Sequence, residues 1–542
     1  MVRLRSYLLA LCCVPAIMAS AQTNVARPKL VVGVMIDQMR WDYLYRFYDR
    51  YGTGGFKRIL GEGFSCENTF IPYAQTVTAA GHTCVYTGSV PAIHGIMGND
   101  WYDKALGKSV YCTSDETVKT IGGSDKAEPQ SPRNLWTTTI CDELKLATNF
   151  RSKVIGVAIK DRGGILPAGH SADAAYWYDS KSGNWVTSTY YMQQLPTWVN
   201  RFNDRRIVDS LLRLNWNTLY PLNTYVQSTA DDKPYEGKYG HEAKPVFPHE
   251  LASQAGKNYG LISSTPYGNT MTLAFARQAM EQEKMGTDAI TDFLAVSLSS
   301  TDYVGHQFGP NSIEVEDTYL RLDRDLAAFL SYLDTKVGKG QYLLFLTADH
   351  AVAHNPRFMD ENKLPVKPLK GIMTDLKNAV KEKFKINNVV ADADNYQIYL
   401  DDKAIDSAGA SREDVKAFMI KFLNRVPEML LAFDNEEISE VNLPTEVKEK
   451  FLKGYNTKRG GDIQMVLRPG YYFGSGDFTG ATHGAWYPYD SHIPLLWMGW
   501  GIRSGKSNTT RYMTDIAPTV AALLRIQMPS GCIGQPIPEV MK

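Results

Sequence analysis

Three apolar runs along the chain each stop at an aspartate. The runs are residues 30–36, 293–301 and 342–347, and the aspartates that follow them are Asp37, Asp302 and Asp349. Continuous apolar runs of this length are typical of buried parallel strands. His306 follows four residues after Asp302, and His350 directly follows Asp349. Because ligands bind at the carboxyl ends of strands in open α/β sheets, the pattern predicts a group of metal ligands at one sheet edge.

Each aspartate taken alone has a second interpretation. An aspartate after a strand is also a common turn residue or helix N-cap. The metal interpretation depends on the repetition and on the two histidines that accompany it.

The remaining periodicity predicts a doubly wound α/β fold, with a mostly parallel sheet sandwiched by helices. Another apolar run covers residues 153–159, and helical patterns cover residues 270–285, 314–333 and 514–524. We find no internal repeat.

Two segments interrupt this pattern. Residues from about 174 to 269 are rich in Tyr, Trp, Asn and Pro and have weak periodicity. Residues from about 355 to 470 contain strand patterns at 395–400 and 429–433 and a helix that Ser411 opens as N-cap. The expected organisation is one catalytic domain, residues 22–542, with two inserted subdomains, the second a small α+β lid.

The first 21 residues have the pattern of a signal peptide. Arg3 and Arg5 precede an apolar stretch, and Ala19-Ser20-Ala21 fits a cleavage site, so the mature chain is expected to begin near Gln22. The apolar stretch is too short to span a bilayer, and no later segment is long enough. We therefore expect a periplasmic or secreted protein without a membrane span.

Charge and cysteine content narrow the function classes. Lys+Arg and Asp+Glu both number 58, and no basic block is present, so nucleic acid is not an expected partner. Export permits disulfides among the five cysteines beyond the signal peptide, and an odd count leaves at least one unpaired. The sequence does not assign which of these cysteines pair. The five cysteines are Cys66, Cys84, Cys112, Cys141 and Cys532.

Several further residues are candidates with two interpretations. Thr78 lies among small residues before a helical stretch, where it is either an N-cap or a nucleophile beside free backbone N–H groups that bind phosphate. Asn99 is either an oxyanion ligand or a turn residue. Lys160 and Arg162, at the end of the 153–159 run, either clamp a phosphate or are solvated cations.

The remaining histidines differ in expected role. His82 and His94 are expected to be buried or loop histidines, whereas His483 lies in a loop of small residues that returns to the core. With His483, three aspartates and three histidines form a set of six ligands that fits two zinc ions. Two such metals activate a hydroxyl nucleophile and hold the leaving oxygen in phosphoryl transfer.

These motifs together resemble the alkaline phosphatase superfamily, in particular its monomeric, phosphate-irrepressible bacterial branch. The resemblance spans residue 37 to the closing helix and rests on Thr76-Val77-Thr78-Ala79-Ala80-Gly81-His82, Asn99, Lys160-Asp161-Arg162, Asp302 with His306, Asp349-His350 and Thr482-His483-Gly484. It implies an exported, monomeric phosphate monoesterase in which Thr78 becomes phosphorylated and water then hydrolyses the phosphoenzyme.

The same resemblance implies a ligand set. One zinc would lie on Asp302, His306 and His483 and the other on Asp37, Asp349 and His350, while Asn99, Lys160 and Arg162 would bind phosphoryl oxygens. An additional calcium ion and the third metal of the dimeric enzymes are not assigned by the sequence.

Three other functions share part of this pattern. A phosphodiesterase of the same superfamily shares the zinc ligands, the threonine and the asparagine, but the Lys160/Arg162 pair resembles the monoesterases. Sulfatases are excluded because Thr stands at position 78 without a Cys/Ser-x-Pro-x-Arg motif. An exported protein that only binds metal or phosphate would not need Thr78.

Overall fold

The computed structural model describes residues 26–367, 369–473 and 479–542. The expected signal peptide lies outside the described residues. Among the described residues, no helix has the length and apolar character required to cross a membrane.

The described strands and helices follow one another along the whole chain. The strands are β1 (Leu30–Ile36), β2 (Phe64–Cys66), β3 (Thr69–Phe70), β4 (Asp100–Asp103), β5 (Lys108–Tyr111), β6 (Thr120–Ile121), β7 (Val154–Ala158), β8 (Ala174–Asp179), β9 (Asn184–Ser188), β10 (Asp292–Leu298), β11 (Tyr342–Thr347), β12 (Val390–Asp394), β13 (Gln397–Leu400), β14 (Met429–Asp434), β15 (Ile463–Leu467), β16 (His492–Ile493), β17 (Leu495–Gly499), β18 (Gly505–Ser507) and β19 (Arg511–Tyr512). The helices are α1 (Tyr43–Arg46), α2 (Phe56–Glu62), α3 (Thr78–Thr87), α4 (Pro91–His94), α5 (Ile140–Ala147), α6 (Asp161–Ala168), α7 (Thr197–Asp204), α8 (Ile207–Leu212), α9 (Tyr267–Gln282), α10 (Ser300–Phe308), α11 (Ile313–Leu333), α12 (Pro356–Glu361), α13 (Ile372–Phe384), α14 (Asp402–Ser407), α15 (Arg412–Leu423), α16 (Thr445–Gly454), α17 (Pro488–Ser491) and α18 (Ile516–Leu524).

A ten-stranded sheet organises the molecule, in the order β18-β2-β17-β11-β1-β10-β7-β8-β9-β6. Its central block, β11-β1-β10-β7-β8, is parallel, and helices flank the sheet. The register pairs Ile36 with Leu298 and Met35 with Thr347, so β1, β10 and β11 end at the same level. The predicted α/β fold with a mostly parallel sheet is confirmed.

Helix α3 packs unusually close to the sheet. A Cβ atom on Gly33 of β1 would lie 2.3 Å from the Tyr86 hydroxyl and 2.6 Å from the Phe345 ring, so only glycine fits here. This contact explains the glycine in an otherwise apolar strand, and it brings the amino-terminal end of α3 to the edge where β1 and β11 end.

The boundary of strand β10 and the start of the first predicted insertion need comment. Strand β10 ends at Leu298, and residues 300–301 already belong to α10, so Asp302 lies in the first turn of a helix. Residues 174–188 form β8 and β9 of the large sheet, so the boundary predicted at about 174 for the first insertion falls at a strand of that sheet. Helices α7 and α8 follow β9, and the region with few regular elements comes after them. The Tyr- and Trp-rich composition was misleading at residues 174–188 because β8 and β9 bury their aromatic rings.

Residues 369–467 contain a separate antiparallel sheet in the order β12-β13-β15-β14. Helices α13 and α15 pack on it, with a hydrophobic core of their own. Ser411 caps α15 as expected, because its side chain accepts a hydrogen bond from Asp414 N. We call residues 369–467 the second subdomain.

The five cysteines within the described residues are free thiols. Four of them are buried, and Cys532 is partly exposed.

Candidate active site

The aligned ends of β1, β10 and β11 bring the three predicted aspartates to one buried point. Asp37 and Asp349 are fully buried, and Asp302 is 2% exposed. Helix α10 places Asp302 and His306 one turn apart, so that both side chains lie on one helix face. The sequence expectation that these residues meet at one sheet edge agrees with this arrangement.

A first group of potential metal ligands consists of Asp302, His306 and His483. Asp302 Oδ1 lies 3.1 Å from His306 Nε2 and 3.5 Å from His483 Nε2. The two imidazole Nε2 atoms are 3.2 Å apart. His483 reaches the group from the loop that precedes α17, far from the other two in sequence.

A second group consists of Asp37, Asp302 and His350, whose ligand atoms lie within 4.8 Å of one another. Asp302 therefore takes part in both groups. Asp349 is adjacent, because its Oδ2 lies 3.5 Å from His350 Nε2, and Asp37 Oδ1 lies 3.6 Å from the same nitrogen.

The three histidines are oriented as metal ligands. Each Nδ1 lies within hydrogen-bond distance of a backbone carbonyl: the pairs are His306 with Ala481 (2.7 Å), His350 with Ala351 (3.0 Å) and His483 with Thr76 (2.6 Å). Such a bond places the proton on Nδ1 and leaves the Nε2 lone pair for a cation. Burial also lowers the pKa of His350 to about 3, which keeps its ring neutral.

Two buried carboxylate oxygens in the cluster are poorly paired among the described residues. Asp37 Oδ1 has no hydrogen-bond partner, and Asp349 Oδ2 contacts His82 Nδ1 at 3.2 Å, a nitrogen that also contacts Thr78 O. Buried charged oxygens are costly unless they are paired or coordinate a metal. Imidazole nitrogens and carboxylate oxygens form the donor set of catalytic divalent-metal sites. The residues present therefore fit metal ions.

Lys160 lies in the centre of the carboxylates. Its Nζ donates to Asp37 Oδ2 at 2.7 Å and to Asp302 Oδ2 at 2.6 Å. Burial opposes ionisation of Asp302, but His306 and Lys160 outweigh it and hold its pKa well below the ordinary value. Burial and the neighbouring Asp349 raise the pKa of Asp37 well above its ordinary value. The ammonium group of Lys160 thus pairs with two of the three carboxylates, and the negative charge that it does not balance favours added cations.

Thr78 is the first residue of α3 and is 1% exposed. Its Oγ1 lies 3.4 Å from both Lys160 Nζ and His350 Nε2. The extended residue before it, Val77, occupies the N-cap position, so the N-cap interpretation of Thr78 is wrong. A Cβ on Gly81 would lie 2.3 Å from Asp349 O, which shows how closely this helix end approaches the carboxylates.

Thr76 has a different environment. Its Oγ1 donates to Ala485 O at 2.9 Å and accepts from Gly484 N at 3.0 Å. Both bonds fasten the loop that carries His483. The Thr76 hydroxyl therefore holds the His483 loop in place, whereas the Thr78 hydroxyl lies next to the charged cluster.

The two other predicted phosphate ligands are held from different sides. Asn99 Oδ1 accepts from Ala79 N at 3.0 Å, which leaves the amide Nδ2 as a donor near the start of α3. Arg162 Nη1 donates to the Tyr111 hydroxyl at 2.9 Å, and the buried Arg162 Nε has no partner among the residues that the structure describes. Arg162 is thus anchored by Tyr111 rather than by the aspartates.

Two residues outside the predicted ligand set, Gln38 and His82, contact the aspartates. Gln38 Nε2 donates to Asp302 Oδ1 at 2.7 Å, and Gln38 N donates to Asp349 Oδ1 at 3.2 Å. His82 Nδ1 lies 3.2 Å from Asp349 Oδ2, and its Nε2 lies 2.8 Å from Ser297 Oγ. Their sequence positions carried a signal, since Gln38 follows a ligand directly and His82 lies one helical turn after Thr78. His94, by contrast, is buried and accepts from Ile96 N.

The chain matches a family model and several named proteins. Residues 31–486 match the model described as "Type I phosphodiesterase / nucleotide pyrophosphatase". The alkaline phosphatase PafA of Elizabethkingia meningoseptica is 52% identical over 541 residues, 99% of each chain. The alkaline phosphatase PhoV of Synechococcus elongatus is 55% identical over 520 residues, 96% of this chain and 94% of that one. A Myroides odoratus protein named "Calcium-transporting ATPase" is 52% identical over 538 residues, 98% of each chain.

The crystal structure of wild-type PafA superposes with a TM-score of 0.93 at 52% identity, covering 96% of this chain and 100% of that one. Similarity of this extent, in sequence and in structure, makes this chain an alkaline phosphatase, an enzyme that hydrolyses phosphate monoesters. Its candidate metal ligands and Thr78 lie close together within the matched region. The chain belongs to the type I phosphodiesterase / nucleotide pyrophosphatase family of the alkaline phosphatase superfamily.

Proposed function

We propose that this enzyme hydrolyses phosphate monoesters in two displacements, with Thr78 as the nucleophile. In the first, Thr78 Oγ1 forms a bond to phosphorus as the ester P–O bond breaks, and the alcohol leaves with a proton. In the second, water attacks the phosphothreonine and releases inorganic phosphate, which restores the threonine hydroxyl. The environment of Thr78 carries the proposal, because its hydroxyl is buried and 3.4 Å from Lys160 Nζ and from His350 Nε2.

We propose two zinc ions for the site. Asp302, His306 and His483 would hold one, and Asp37, Asp349 and His350 the other. Bound at these residues, the ions would lower the pKa of the threonine hydroxyl and offset charge on the leaving oxygen. The shared position of Asp302 is consistent with two cations side by side.

The remaining polar groups bind the phosphoryl oxygens. Lys160 is close enough to Thr78 Oγ1 that an oxygen on the attacked phosphorus comes within its reach. Asn99 presents its free amide N–H groups, and Arg162 presents an unpartnered Nε. Preorganised donors of this kind stabilise the charge that develops in the transition state.

A phosphodiesterase is the second candidate, because the family model carries that description. A monoester brings two charged non-bridging oxygens, whereas a diester brings one charge and a second substituent. The Lys160 ammonium beside Thr78 therefore favours the monoester.

We also propose export and a monomeric state. The amino-terminal pattern supports cleavage near Gln22 and release to the periplasm or the medium. The site itself supports a monomer, since one chain provides every group named above.

Metal removal tests the proposal. Chelation should abolish hydrolysis of an aryl phosphate monoester, and added zinc should restore it together with about two equivalents of bound metal, as a two-metal site requires. His350→Ala should lose metal and rate together, while His94→Ala, at a buried histidine outside the ligand set, should keep both. An active purified enzyme without divalent metal contradicts the mechanism.

A further inference from the structure

A cleft of about 470 Å³ opens onto the site. On one side it is lined by Asn99, His306 and His483. On the other side the second subdomain contributes Tyr396, and Phe473 follows shortly after that subdomain ends. The cleft therefore adjoins candidate site residues, and its volume has room for part of an ester beyond the phosphoryl group.

The tip of the β12–β13 hairpin fixes this second side. Asn395 and Tyr396 have φ angles of +50° and +60°, the pair of left-handed residues that a two-residue type I′ turn requires. Tyrosine is an unusual residue in that conformation, because bulky side chains make left-handed backbone costly. The structure thus holds a large ring at a position that sequence preference alone would give to glycine.

Two glycines beside site residues accommodate the hairpin tip. A Cβ on Gly98 would lie 2.1 Å from Asn395 Nδ2, and a Cβ on Gly484 would lie 3.0 Å from Tyr396 Cε2. Gly98 precedes Asn99, and Gly484 follows His483. The position of the tip relative to the site is therefore set by direct contact with both loops.

Two aromatic side chains are part of the lining of the cleft. The Tyr396 and Phe473 rings stack at a centroid distance of 5.6 Å with an interplanar angle of 30°. Both side chains are only partly buried. We name Tyr396 and Phe473 the aromatic wall. Lys160, Asn99 and Arg162 serve the phosphoryl oxygens, so the aromatic wall is available to the remainder of the ester.

We propose that the aromatic wall is the leaving-group subsite and selects phosphate monoesters whose alcohol carries a planar ring. A planar ring stacks on such a surface with little loss of conformational freedom, whereas a short alkyl group makes little contact. The inference rests on the proposed function, since it takes the phosphorus to lie at Thr78. It adds a substrate class that the ligand set does not define.

The test compares benzyl phosphate with ethyl phosphate, two alkyl monoesters that differ in the planar ring. The double variant Tyr396→Leu/Phe473→Leu keeps apolar bulk and removes both rings. We expect kcat/KM for benzyl phosphate to fall by about 5- to 50-fold, the range that aromatic stacking gives. The value for ethyl phosphate should stay nearly constant, which also reports on folding. Phe418→Leu is the matched control, because Phe418 packs against Phe384 at 5.5 Å elsewhere in the second subdomain.

A second measurement needs no variant. Benzylphosphonate should inhibit the wild-type enzyme more strongly than methylphosphonate, by a similar factor. Equal inhibition by the two, equal losses on both esters, or no loss on either overturns the inference. Equal losses would mean that the wall only positions the His483 loop. The proposed function fails separately, if neither ester is hydrolysed by the zinc-loaded wild type.

Discussion

The sheet edge and the aromatic wall are built in opposite ways. The sheet edge gathers Asp37, Asp302 and Asp349 from segments far apart in sequence, and it is buried and held by Lys160 and hydrogen bonds. The aromatic wall is partly exposed, and half of it comes from one hairpin turn of an inserted subdomain. The contrast indicates that the scaffold sets the chemistry while the insertion sets the choice of leaving group.

Thr78→Ala should give the largest effect and should leave the aromatic wall intact. We expect kcat to fall by at least about 10⁴-fold, as for loss of an enzyme nucleophile, with metal still bound. Thr83→Ala is the matched control, since Thr83 lies on the same helix and its hydroxyl only bonds Ala79 O. Steady-state kinetics and metal analysis decide the outcome. Near-normal turnover of Thr78→Ala would rule out this nucleophile.

Lys160→Ala/Arg162→Ala should give an intermediate effect that depends on substrate charge. We expect monoester kcat/KM to fall by at least about 10³-fold, because removal of one preorganised donor typically costs about 10²–10³ and two donors need not multiply. Diester hydrolysis should fall much less, because the ligands and Thr78 remain.

The measurement is kcat/KM for an aryl monoester and its methyl diester, at saturating zinc. The structure adds a second readout, since Lys160 also pairs with Asp37 and Asp302. Metal content should not fall in the double variant. Equal losses on both substrates would assign these cations a structural role and remove the main support for monoester preference.

Gln38→Asn should give the smallest effect, and we expect this effect to be a weaker affinity for zinc. Asparagine tolerates the left-handed backbone at φ +65° but is too short to keep the bond to Asp302. Loss of a hydrogen bond to a metal ligand typically weakens metal affinity by about 10- to 100-fold. Zinc titration of the metal-free protein measures this affinity. A change in kcat at saturating zinc with unaltered affinity would contradict a ligand-supporting role.

The sequence predicted the sheet edge well because strand ends carry their own signal. The runs at 30–36 and 342–347 coincide with β1 and β11, and register alone then places their aspartates together. The error at β10 arose because residues 299–301 continue the apolar-and-small pattern although α10 already begins at Ser300.

The rest of the site depends on contacts that periodicity does not encode. The Gln38–Asp302 bond joins residues 264 positions apart, and the Lys160 pairs span 123 and 142 positions. Likewise, residues 395–400 were predicted as one strand, whereas Asn395 and Tyr396 form the turn before β13. The sequence did not predict this left-handed turn because tyrosine is not a typical turn residue.

The central claim is tested most directly by trapping the covalent intermediate. Acid quenching during turnover of a phosphate monoester, followed by peptide mapping, locates the phosphoryl group. The account predicts phosphate on Thr78, in an amount that depends on bound zinc. Phosphate on Thr76, or turnover with no phosphorylated residue under conditions in which hydrolysis of the intermediate limits the rate, would contradict it.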